Sequence, residues 1–349
     1  EAVSSGASLS TVDGLVWKNA NGVVVRNKER APIENLDELP FVSEVYKRFL
    51  RVEDYFYGHS KHPLVVFDTS RGCPYRCTFC VYPQTFSGHS MRYRSVGHVA
   101  DEFEYIAREL PQVNTVMLED DTFIIDLKRT EALADELIKR GNKLPFDSNC
   151  RADTKADVQF FKKLNKAGAR LFCVGFESGD DEVLKHIKKN LNLSRTHQFM
   201  KNTRDAGIMV HGCFMVGNLN ETNQTLQKTL DLALDLNPDT AQFFPIMVYP
   251  GTAAYNEAKA KGYLASENYS DWLTQDGLHN STINLPNMTH KELVEFCDHA
   301  RKKFYLRPSY LARKALQSIK DPDEFKRNLK GFKKLSQYLI KGSFSKDGE

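Results

Sequence analysis

No stretch of this sequence approaches the ~20 consecutive apolar residues that a bilayer-spanning helix requires. Its first residues, Glu1-Ala2-Val3-Ser4-Ser5, also lack the basic-then-apolar order of a secretory signal. From these two absences we expect a cytoplasmic protein. Charge of one sign is lacking as well. The 48 Lys and Arg against 45 Asp and Glu leave a net charge of +3, too weak a field to imply a nucleic-acid partner and better suited to a small-molecule substrate. A disulfide framework is excluded too, because the seven cysteines are odd in number and only Cys73, Cys77 and Cys80 cluster. Cys150, Cys173 and Cys213 sit singly in apolar runs and Cys297 lies on a helical pattern, places where a thiol acts as a small buried hydrophobe. The chain opens without methionine and in mid-pattern, which points to sequence upstream of Glu1.

What is present is length and alternation. At 349 residues the chain exceeds one typical domain, so we expect a large catalytic core with smaller flanks. Between residues 62 and 252, within a core expected over residues 62–265, short apolar runs alternate with helical patterns: Leu64 to Phe67, Thr115 to Leu118, Phe146 to Cys150, Leu171 to Phe176, Ile208 to Val216 and Ala241 to Val248. Several are nearly continuous in apolar residues, as parallel strands covered on both faces are. Val99, Phe103, Ile106 and Leu110 recur at helical spacing, as do Leu226, Leu230, Ala233 and Leu234, and Gly141, Gly168 and Gly207 stop helical patterns ahead of strands. These runs predict an α/β fold, a partial (β/α)6 TIM-like barrel with its site at the carboxyl ends of the strands. Residues 1–61, with Pro32, Pro40 and an acidic turn at Glu34 to Glu38, read as an irregular linker. Residues 266–349 read as helical: Leu293, Phe296, Cys297 and Ala300 share one face, and Phe325, Leu329, Phe332, Leu335 and Leu339 another, among many lysines. That basic amphipathic end is expected to cover the barrel, with its lysines solvated, rather than to lie on a membrane surface.

The chemistry is concentrated in Arg71-Gly72-Cys73-Pro74-Tyr75-Arg76-Cys77-Thr78-Phe79-Cys80, directly after the first strand. Thiolates are the usual ligands of iron-sulfur clusters, and a closed cubane takes four. Only three are local here, so one iron would stay open to an exchangeable ligand, as the open position of a catalytic zinc does. A zinc site would favour paired two-residue spacings with a second pair or histidines, and a plant-type ferredoxin loop has four-then-two spacing. Neither fits well. A non-catalytic iron-sulfur or zinc-binding module stands as the alternative from another class.

With its aromatic Phe79 before the last cysteine, the segment resembles the signature of the radical S-adenosylmethionine superfamily. The resemblance implies a 4Fe-4S cluster on Cys73, Cys77 and Cys80. It also implies reductive cleavage of S-adenosylmethionine to a 5'-deoxyadenosyl radical that takes hydrogen from an unactivated carbon, the cofactor supplying the hard step. By the same likeness Glu119 and Asp120, in Glu119-Asp120-Asp121-Thr122-Phe123, would lie near the methionine amino group. Arg151, in Asn149-Cys150-Arg151-Ala152-Asp153, would meet the carboxylate or ribose. Glu177, in Gly175-Phe176-Glu177-Ser178-Gly179, would accept from the ribose hydroxyls, and Lys189 would face the methionine carboxylate. Gly217-Asn218-Leu219-Asn220-Glu221-Thr222 departs from the family's usual Gly-Leu-Pro-Gly-Glu-Thr, which leaves the conformation of that turn open. Tyr249-Pro250-Gly251-Thr252 matches a family turn that closes the barrel.

Phe304-Tyr305-Leu306-Arg307-Pro308 and the linker residues Ile33 to Pro40 resemble the cobalamin-associated branch, which holds C-methyltransferases, anaerobic porphyrin ring cyclases and hopanoid-pathway enzymes. That likeness implies cobalamin-dependent C-methylation, with radical cyclisation or rearrangement as the alternative, and a lipid or tetrapyrrole substrate. It also implies an electron donor of the flavodoxin or ferredoxin kind. No Asp-x-His-x-x-Gly, the branch's cobalt-ligating motif, occurs in the sequence. The cobalamin domain is therefore expected ahead of residue 1 or on a separate chain.

Overall fold

The computed structural model describes residues 1–273 and 280–320. Six parallel strands form one sheet: β1 (Leu64–Phe67), β2 (Thr115–Leu118), β3 (Phe146–Arg151), β4 (Ala169–Glu177), β5 (Met209–Val216) and β6 (Thr240–Pro245). Each pairs with the strand before it in the chain, so the order is β1 to β6 without inversion. Parallel neighbours need crossovers. Helices α1 (Val96–Glu109), α2 (Leu127–Lys139), α3 (Val158–Ala167), α4 (Leu193–Asp205) and α5 (Asn223–Leu236) supply them. The fold is the partial TIM-like barrel that the alternation predicts.

One face of the strands meets the helices. Phe103, Phe161, Phe172 and Phe199 are almost wholly buried there, and Phe176, Phe214 and Phe243 on three adjacent strands stack with centroids 5.3 Å apart. Strand residues alternate between faces. Cys173, Gly175, His211 and Cys213 therefore lie on the opposite, lumen face, and all four are half-buried. Here the structure departs from the sequence reading of Cys173 and Cys213 as buried core thiols, whereas Cys150 and Cys297 are buried as expected.

After β6 come α6 (Ala253–Ala260), α7 (His290–Tyr305) and α8 (Pro308–Lys320). Leu293, Cys297, Ala300 and Phe304 form the buried stripe of α7. Its polar side chains reach the outer edge of β6: the Tyr305 hydroxyl bonds both the N–H and the carbonyl of Ala241, and Arg301 donates to the carbonyl of Phe243. The predicted apolar face from Phe325 to Leu339 lies outside the described residues. The expected linker is more ordered than its composition implies. It holds a hairpin (Val16–Lys18 with Val24–Arg26) and a helix, Val42–Phe49, whose Ser43 backbone N–H and hydroxyl both donate to buried Glu102. Glu102 in turn pairs with Arg94 at 2.6 Å. Among the described residues no helix is long and apolar enough to cross a membrane.

Candidate active site at the carboxyl ends of the strands

The cysteine loop leaves β1 through Gly72, whose φ of +102° is open to glycine alone, and a Cβ there would lie 2.2 Å from the carbonyl oxygen of Ser90. The Gly72 N–H donates to Asp121 at the end of β2. Downstream, the Gln84 amide nitrogen donates to the carbonyls of Cys77, Thr78 and Cys80 at 3.2, 3.3 and 2.6 Å, while its oxygen accepts from the N–H of Ala253. One side chain thus ties the loop carbonyls to the start of α6. Sequence reasoning missed Gln84, because its partner lies 169 residues away. The loop also docks on the turn after β4, where the Thr78 N–H donates to the carbonyl of Ile187 and Cys77 Sγ lies 3.8 Å from that of Lys188.

All three thiols are free cysteines; Cys77 raises the pKa of both Cys73 and Cys80, and Cys73 raises that of Cys80. Burial pushes all three up, Cys80 to about 11, with Lys189 and Arg151 opposing it at Cys77. Their ligand atoms do not converge as closely as those of a single-ion site: the one group of three lying within 4.8 Å of one another among the described residues is elsewhere. Three thiols on one loop that do not converge on a single point suit a polynuclear cluster better than one zinc.

The loop sits between an acidic wall and a wall of paired charges. On the β1 and β2 side are Asp68, Glu119, Asp120 and Asp121. Burial, then Asp120, raises Asp68 to about 6, and burial raises Glu119 as well. Glu119 Oε2 is buried with no hydrogen-bond partner among the described residues, and so suits a cationic group. Asp120 accepts from the Thr69 N–H and the Thr69 and Ser70 hydroxyls, which fixes the chain where it enters the loop.

On the opposite wall, Lys189 donates to Glu177 Oε1 at 2.9 Å, both side chains being about nine-tenths buried. Burial disfavours the Lys189 charge, but Glu177 and Cys77 outweigh it and hold the pKa above the ordinary lysine value. Glu177 has φ +62° at a bulge where two β4 residues stand opposite one on β5. Such a backbone costs about 1–3 kcal/mol and survives where the side chain is needed. The extra residue leaves Phe176 in its stack, and Glu177 folds back over Gly175, where any Cβ would meet its carboxylate at 2.3 Å. Arg151 is spoken for. It lies 3.7 Å from the centroid of the Tyr75 ring, forks onto Asp153 and donates to the carbonyl of Lys189, which makes it a brace for the cysteine loop more than an open ligand donor. Phe79 is half-buried against the core.

The divergent turn after β5 closes without its proline. Glu221 accepts from the backbone N–H groups of Gly217 and Asn218, and Glu221 Oε1 is buried without a partner among the described residues. Burial, only partly offset by those two bonds, lifts Glu221 to about 7. A raised acid favours the folded state at low pH. Between the ordinary glutamate value and about 7 the native state keeps a proton that the unfolded state has lost, so stability falls as pH rises, by at most about 1.4 kcal/mol per pH unit. Denaturant midpoints measured from about pH 5 to about pH 8 are expected to fall in the native protein and to stay flatter in Glu221→Gln. Equal slopes in both proteins would show that this carboxylate is not the group responsible.

Residues 68–233 match the Radical SAM superfamily. With the strand-end cysteine loop and the partial barrel, this gives the chain a radical SAM domain. It is similar, at 28% identity over 89% of the chain, to a protein described as an uncharacterized methyltransferase from Pyrococcus horikoshii. The anaerobic magnesium-protoporphyrin IX monomethyl ester cyclase of Rubrivivax gelatinosus matches 72% of the chain at 28% identity. The chain spans 65% and 44% of these two relatives, less than two thirds of either. In fold it is similar to the radical S-adenosylmethionine methyltransferase TsrM from Kitasatospora setae, with a TM-score of 0.65, 19% identity and coverage of 82% of this chain and 61% of that one.

Proposed function

We propose that the protein is a C-methyltransferase that uses a 4Fe-4S cluster on Cys73, Cys77 and Cys80 together with S-adenosylmethionine and cobalamin. The observation that carries the first two cofactors is the loop of three free thiols between an acidic wall and the buried Lys189–Glu177 pair. The acidic wall, with the unpartnered Glu119 Oε2, suits the amino group of an amino-acid moiety, and Lys189 on the other wall suits its carboxylate. When bound, the cluster and its ligand supply an electron and, from the cleaved sulfonium, a carbon radical able to take hydrogen from an unactivated C–H bond. The chain's own residues do the rest: Gln84, Asp121 and Arg151 hold the loop, and Glu177 presents its carboxylate at the rim of the lumen.

Methyl transfer rests on the names of the methyltransferase relatives, and cobalamin on the branch resemblance. The cyclase relative, at the same identity as the methyltransferase, sustains radical cyclisation as a second reading. Product counting separates the two. Reduced with dithionite and given S-adenosylmethionine alone, the cluster-loaded protein is expected to release 5'-deoxyadenosine slowly. With substrate and a cobalamin-binding domain supplied to the chain, methyl transfer yields S-adenosylhomocysteine and 5'-deoxyadenosine in equal amounts, whereas cyclisation yields 5'-deoxyadenosine alone. A fully loaded protein that releases none under either condition would refute both.

A further inference from the structure

We infer that Cys173, His211 and Cys213 form a zinc site on the lumen wall of the barrel, separate from the cysteine loop. Their ligand atoms all lie within 4.8 Å of one another, and all three residues are half-buried. The sheet register creates the site. Cys173 on β4 pairs directly with His211 on β5, and Cys213 stands two residues further along β5, so alternation points all three side chains to the same face.

The spacing suits the metal. Two thiolates at a Zn–S distance of about 2.3 Å and a tetrahedral angle stand about 3.8 Å apart. Cys173 Sγ and Cys213 Sγ are 3.7 Å apart. The imidazole is already oriented, since His211 Nδ1 lies 2.7 Å from Thr240 Oγ1 and the ring stacks on His59 with centroids 5.0 Å apart. Ligation through Nε2 requires Nδ1–H to donate to that hydroxyl and Nε2 to exchange its 3.5 Å contact with Gln242 Oε1 for the metal. Charge balances as well. One Zn²⁺ replaces two thiol protons, which leave to solvent, and two thiolates with a neutral imidazole bring the site to zero net charge, so a half-buried wall can hold it.

Three protein ligands leave the fourth tetrahedral position open, the arrangement of catalytic rather than structural zinc. That position lies beside Cys213, which Glu177 and Lys189 reach electrostatically. It would take a heteroatom of a small molecule in the lumen, such as a thiolate, carboxylate or alkoxide. Cys173 and Cys213 thus acquire a role that their isolated positions in the sequence conceal.

The test uses the full chain. Cluster-loaded protein incubated with Zn²⁺ and then desalted is expected to hold one zinc per chain beside about four irons. Cys213→Ser and His211→Ala should keep the iron and each lose zinc affinity by more than about a hundredfold, since losing even an outer partner costs 10–100-fold. Thr240→Val, which removes only the outer partner, should fall within that smaller range. Zinc lost from the native protein on desalting, or retained equally by Cys213→Ser, overturns the site. A second measurement does not depend on those variants. With Cys73, Cys77 and Cys80 all replaced by Ala, Co²⁺ alone should give a tetrahedral ligand-field spectrum with thiolate charge transfer, displaced by one equivalent of Zn²⁺, and an octahedral spectrum without thiolate bands overturns the assignment.

Discussion

Alanine at Cys73, Cys77 or Cys80 is expected to remove essentially all iron from anaerobically reconstituted protein, against about four irons and four sulfides per native chain. The expectation is severe because the loop holds no spare ligand. The other cysteines are 70 or more residues further on, and Cys150 and Cys297 are buried on other elements. A cubane held by three thiolates is already one short of a closed set, and removing another leaves two. Cys297→Ala, a truncation under the stripe of α7, should lower stability but leave the iron count unchanged. Iron, sulfide and visible absorbance measured on all four variants decide the matter. Full iron content in each of the three loop variants would sink the cluster assignment.

The second large effect concerns Glu177 and Lys189. Because the two are buried together, Glu177→Ala should cost about 3–5 kcal/mol of stability, the usual penalty for leaving one member of a buried pair alone. Adding Lys189→Met should recover much of that loss. Alanine therefore cannot report on ligand binding by itself. Glu177→Gln can, since it keeps a side chain able to accept from Lys189 and removes only the charge. We expect Glu177→Gln to fold with its iron intact and to bind S-adenosylmethionine about 1.5–3 kcal/mol more weakly, the worth of a charged hydrogen bond. Calorimetry on the loaded protein provides the measurement. Unchanged affinity in that variant would assign Glu177 to the support of Lys189 alone.

Much of this was legible in the chain because parallel strands and their helices write their periods locally. The six apolar runs became the six strands with their ends moved by a few residues, and the glycine stops fell where helices end. The cysteine spacing needed no structure at all. What stayed hidden depends on register or on distant pairing. Nothing near Gln84 announces three loop carbonyls, and Arg151 could not be seen to be committed to Tyr75 and Asp153 until β3 was placed beside the loop. The strained backbone at Glu177 follows from a one-residue bulge, which an apolar run cannot show. Cys173 and Cys213 looked like core thiols because each sits in an apolar run, and only the β4–β5 register shows that they share the lumen face. The linker's helix was missed for a related reason: Ser43 is ordered by Glu102, which lies beyond the first strand.

Among the described residues the wall of the barrel stops at β6, and an unfinished parallel sheet is a template on which another chain can add a strand. Helix α7 occupies that place with side chains, since Tyr305 and Arg301 answer the backbone groups that a seventh strand would have taken. On a ribosome, β6 emerges well before His290 does. For that interval the growing chain carries an unguarded edge, and a copy stalled or cut between Pro245 and His290 is left permanently open to edge-to-edge aggregation.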